Sequence, residues 1–136
     1  MLSRNIAALW LIAAALILMA CGATTPAPPT SRQTQTVDGL TISLEAADRP
    51  AINQAERFVI ALSDANGQPI SDASVYLDLD MPAMPMGSNQ PIADAQGDGT
   101  YRAETAYTMT GTWEISVIVK WQGKEYRARF EREVGS

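Results

Sequence analysis

From Leu40 onward, apolar and polar side chains alternate with a period of two. Leu40, Ile42 and Leu44 are separated by Thr41 and Ser43, and Phe58, Ile60 and Leu62 repeat the pattern. Val75, Leu77, Leu79 and Met81 alternate with Tyr76, Asp78 and Asp80. Later, Trp113, Ile115, Val117, Val119 and Trp121 share one parity, and Tyr126, Ala128 and Phe130 another. A sheet with one buried and one wet face requires this alternation. It predicts that Trp113 and Trp121 are both buried. Turn residues punctuate the runs: Asn66-Gly67, Gly97-Asp98-Gly99, and Gln122-Gly123 as a tight hairpin. Tyr101, after Gly99, is placed like the structural tyrosine corner of Greek-key sandwiches. Only Ala51 to Arg57 has room for a helical turn. The pattern predicts an all-β domain over residues 37–134, an immunoglobulin-like antiparallel β-sandwich of about seven strands.

The first 36 residues read differently. Arg4 precedes an uncharged apolar run from Ile6 to Met19, followed by Ala20-Cys21-Gly22. A spanning helix needs about 20 apolar residues, so this shorter run reads as a secretory signal. Leu18-Met19-Ala20-Cys21 resembles the bacterial lipobox. That resemblance implies a signal peptide over residues 1–20 and cleavage and acylation at Cys21. Two or more acyl chains hold a protein stably on a membrane. The expected location is the cell envelope, lipid-anchored on the extracytoplasmic face. Residues 22–36, rich in Pro, Thr, Ser and Gln, hold no aliphatic side chain larger than Ala. Such a segment cannot bury enough apolar surface to order itself, and it is expected to be a flexible tether over 21–36.

Charge and composition narrow the functional classes. The predicted signal holds one basic residue, Arg4, and no acidic one, which leaves 9 basic against 15 acidic residues and a net charge of −6. An acidic surface is the wrong sign for nucleic acid or for anionic headgroups. There is no histidine, and the single cysteine is assigned to lipid. With neither the commonest general base nor a free thiol, and no nucleophile elbow or phosphate-binding glycine loop, an enzyme and a small-molecule substrate are not expected.

The distinctive stretch is Met81-Pro82-Ala83-Met84-Pro85-Met86, three methionines and two prolines in six residues. Thioethers are soft, neutral ligands suited to Cu(I). In an extended chain, Met84 and Met86 point the same way about 7 Å apart. Pro82 and Pro85 favour such a conformation. Met81 continues the buried parity of its strand and joins a metal only if the loop bends. Met109 is a candidate third ligand from across the fold, or simply packing. Met84 and Met86 equally suit a soft contact surface for a partner, with Pro82 and Pro85 as its frame, or a plug for the open end of the sandwich. Asp78 and Asp80 read as solvated outward charges. Asp94 to Gly99 reads as a turn, lacking the ligand spacing of a calcium loop.

Two segments resemble the YtkA-like domain, a family of bacterial envelope proteins related to the FixH group. One is Val75 to Gly87 with its MPxMxM motif. The other is Asp98-Gly99-Thr100-Tyr101, with its GxY, followed by Tyr107 to Ile115, with its MxGxW at Met109 to Trp113. The resemblance implies the β fold. It also implies a link to copper, since FixH-like relatives are associated with assembly of copper-containing respiratory oxidases. The expected function is therefore a lipid-anchored accessory protein that offers Met84, Met86 and Met109 to Cu(I), partnered by a membrane oxidase or cuproprotein. The alternative is a metal-free interaction module that docks the same loop on a membrane complex.

Overall fold

A computed structural model describes residues 25–85 and 87–135. Eight strands follow in order: β1 (Thr30–Val37), β2 (Leu40–Ala47), β3 (Glu56–Ser63), β4 (Ser74–Asp80), β5 (Ile92–Ala95), β6 (Thr100–Thr105), β7 (Gly111–Trp121) and β8 (Lys124–Val134). They pair antiparallel in the order β1-β2-β3-β6-β5-β4-β7-β8, a single sheet folded over on itself until it is nearly closed. The alternating positions face inward as expected. Leu40, Ile42, Leu44, Phe58, Ile60, Leu77, Leu79, Ile115, Val117, Ala128 and Phe130 are all buried.

Three features depart from expectation. Residues 30–36 are not tether. They form β1, laddered to β2 from Thr30↔Ala47 to Val37↔Leu40 around an Asp38-Gly39 turn. Both faces of β1 are polar, so it buries almost nothing and leaves no alternating signature. β5 likewise leaves no alternating signature: of its four residues only Ala93 is buried. Trp121 is only partly covered, because its indole N–H turns outward to donate to Asp72 Oδ1 at 3.0 Å.

The rims of the folded sheet, β1 and β8, are joined by side chains. The Gln35 amide bonds both the carbonyl and, at 3.3 Å, the N–H of Arg129, imitating a peptide group. Gln33 Nε2 donates to the Glu131 carbonyl at 3.4 Å.

One end of the barrel is set by Tyr101. Its buried hydroxyl donates to the Ile70 carbonyl at 2.8 Å and accepts from the Ala73 N–H at 3.1 Å, the tyrosine-corner arrangement. Burial holds its pKa above the usual tyrosine value. Gly99 sits nearby at φ +84°, where a Cβ would lie 2.6 Å from Pro69 Cβ. Asp98 Oδ1 accepts from the Thr100 N–H at 3.0 Å, so Asp94 to Gly99 is a turn as read.

Candidate functional site

The opposite end gathers the segments 48–55, 81–91 and 106–110. The register places the last residue of β2, the first of β3, the last of β4 and the first of β7 there: Ala47 opposite Thr30, Glu56 opposite Thr105, Asp80 opposite Glu114, Gly111 opposite Val134.

β4 carries its inward parity one step past its last ladder pair, so Met81 is buried at 6% exposure. The strand then stops. Asp80 Oδ1 accepts the Met81 N–H at 2.9 Å, and Pro82 has no N–H to continue a ladder. The Met84 N–H returns to the Met81 carbonyl at 2.9 Å. Residues 81–84 are thus a hydrogen-bonded turn with Pro82 at its favoured second position. This corrects the extended conformation expected around Pro82; the spacing expected of Met84 and Met86 reaches beyond the described residues. A turn brings its first and fourth Cα atoms within about 7 Å. The backbones of Met81 and Met84 are therefore close, with the Met81 side chain held in the core and that of Met84 half exposed at 52%.

Met81 reaches across to the 109–111 turn. Its Cε lies 3.0 Å from where a Gly111 Cβ would be, and Gly111 adopts φ +127°. Met109 packs partly buried against the core, and its carbonyl accepts the Trp113 indole N–H at 3.0 Å. The structure therefore brings Met81, Met84 and the Met109 turn to one end. Pro82 and Pro85 are exposed on the loop. Met86 and Cys21 lie outside the described residues. Between loop and barrel is a cleft of about 350 Å³ lined by Leu79, Asp80, Met81, Asn89, Thr108 and Trp113. Among the described residues no three His, Cys, Asp or Glu side chains converge; Met81, Met84 and Met109 bring thioethers to this end.

Beneath the cleft runs an aromatic column. Trp113 meets Tyr107 edge-on at 5.3 Å between centroids, and Tyr107 meets Phe58 at 6.1 Å. The Tyr107 hydroxyl is buried with no hydrogen-bond partner among the described residues. Burial raises its pKa well above the tyrosine range, nearby Glu56 raises it further, and Arg132 opposes. Glu56 and Arg132 are themselves buried. Glu56 Oε1 accepts the Ala47 N–H at 2.7 Å, while the Arg132 guanidinium donates to the Ser31 hydroxyl, the Ser31 carbonyl at 3.2 Å and the Ala47 carbonyl at 3.4 Å. Sequence reasoning passed over this group. A signal was present: Glu56 shares the inward parity of Phe58 and Ile60, and Arg132 that of Ala128 and Phe130.

Among solved structures, the soluble domain of PmoD from Methylocystis sp. (Rockwell) superposes with a TM-score of 0.51 at 15% identity, covering 75% of this chain and 96% of that one. At that identity the likeness is one of fold. The GAE domain of GGA2p from Saccharomyces cerevisiae gives a TM-score of 0.36 at 15% identity over 78% of this chain and 98% of that one, too remote to carry an argument. No curated protein matches the sequence. The YtkA-like family matches residues 34–118, from within β1 into β7, and the chain belongs to that family.

Proposed function

We propose that this is a lipid-anchored accessory protein of the cell envelope that carries Cu(I) on thioethers at its methionine end and passes it to a copper enzyme under assembly. Copper here is cargo, so a site near the surface suits it better than a closed cage. The observation that supports the reading is the turn of residues 81–84, with Met84 exposed, Met81 buried at its base and Met81 against the turn that follows Met109. Thioether donors bind Cu(I) without needing to lose a proton and suit zinc, calcium and magnesium poorly. Copper association among FixH-like relatives supports the same reading, as does the lipobox-like Leu18 to Cys21 for the anchor.

A Cu(I) competition titration on the chain from Gly22 onward, beside one with Met84→Leu and Met86→Leu, tests this. Stoichiometric binding that is lost in the double variant is the expected result. Absent binding, or binding unchanged in the variant, refutes the copper role. In that event the second reading takes over, a metal-free docking module. Its support is that two of the exposed large apolar side chains, Ile52 at 39% and Met84 at 52%, lie at this same end.

A further inference from the structure

The point where the chain enters the barrel decides which way the domain faces. β1 begins at Thr30, opposite Ala47, at the same end as the methionine turn. The entry is clamped there. Arg132 holds Ser31, and the Asp48 N–H donates to the Pro29 carbonyl at 2.9 Å. The chain is therefore committed to the domain from Pro29, and only residues 22–28 remain between it and Cys21. Eight peptide steps cannot span more than about 28 Å. β1 alone, seven steps of about 3.3 Å, runs some 23 Å toward the other end of the barrel. To turn the Gln122-Gly123 end toward the bilayer, the tether would have to run back along nearly the whole barrel, which consumes most of its reach.

We infer that the methionine end is the membrane-facing end, and that its occupant is the extracytoplasmic face of a protein embedded in the same bilayer. This rests on the lipid-anchor reading above. An embedded protein, rather than lipid, is the occupant because the chain beyond the signal carries a net charge of −6. That charge repels anionic headgroups. The exposed Ile52 and Met84 side chains at this end suit an apolar protein contact.

The test uses the full, lipidated chain in phosphatidylethanolamine/phosphatidylglycerol vesicles that carry a headgroup-linked acceptor dye. A donor dye is attached through Ala83→Cys in one preparation and through Lys124→Cys, at the opposite end, in another. Both sites are exposed, and acylation leaves Cys21 unreactive. Energy transfer from position 83 is expected to exceed that from 124 by about twofold or more, given a separation of at least about 23 Å, the length of β1. Equal transfer, or more from 124, overturns the orientation. Inserting roughly 15 Gly/Ser residues after Gly22 frees the domain to tumble and is expected to abolish the difference. A difference that survives the insertion means that the end adsorbs to lipid, and it overturns the protein occupant. Vesicle flotation with Cys21→Ser separates the underlying reading: if that variant floats as well as the parent, the lipid anchor itself is wrong.

Discussion

The buried Tyr107 hydroxyl offers the sharpest energetic test, because removing it is expected to help. Leaving a buried polar group unpaired costs about 1–3 kcal/mol. The ring earns its place through edge-on contacts with Phe58 and Trp113, and phenylalanine keeps both. Tyr107→Phe should therefore stabilise the domain by about 1 kcal/mol near neutral pH, a rise of roughly 4 °C in Tm for a domain of this size. The pH dependence adds a second arm. Burial, with Glu56 reinforcing it, holds the folded-state pKa of Tyr107 far above the ordinary value. A group whose folded pKa is raised contributes stability that is full below the unfolded pKa near 10 and falls as pH rises beyond it. At about pH 11 the unfolded tyrosine is mostly ionised, which favours unfolding of the parent by about 1.4 kcal/mol more than of the phenylalanine variant. The advantage of that variant should then widen to about 2.4 kcal/mol. Urea unfolding followed by tryptophan fluorescence at both pH values measures it. A variant less stable than the parent at neutral pH would refute the unpaired hydroxyl. An advantage that does not grow with pH would refute the raised pKa.

Other substitutions follow from the same packing. Tyr101→Phe should have the opposite sign, a loss of about 1–3 kcal/mol by thermal unfolding, because it leaves the buried Ile70 carbonyl and Ala73 N–H unpaired. Gly99→Ala puts a Cβ 2.6 Å from Pro69 Cβ at positive φ. It should cost at least about 2 kcal/mol in urea unfolding. Met81→Ala should cost about 2–4 kcal/mol as a core truncation, while Met84→Leu stays within about 0.5 kcal/mol. Equal losses at the two methionines would refute the division between the buried root and the exposed tip.

The barrel interior was legible in the sequence because inward and outward alternation is a local property. Burial selects Leu, Ile, Val and Phe at every second position wherever one face is dry, whatever the strand order. Tyr101, Met81 and the glycine turns were legible for the same reason, since each is dictated by its own neighbours. β1 was not. Ser31, Gln33 and Gln35 gain their role only from β8, some 94 to 101 residues away, and a strand polar on both faces looks like a tether until its partner is known. The prolines of the methionine loop argued locally for extended chain, but the Met84 N–H found the Met81 carbonyl at the strand end and closed a turn. Glu56 and Arg132 carried a sequence signal in their parity, yet only the fold shows Arg132 clamping the entry of β1 beside the methionine turn. Side-chain chemistry determined which residues face inward. Long-range pairing decided which loops share an end, and with that placed the entry of the chain into the barrel beside the methionine turn.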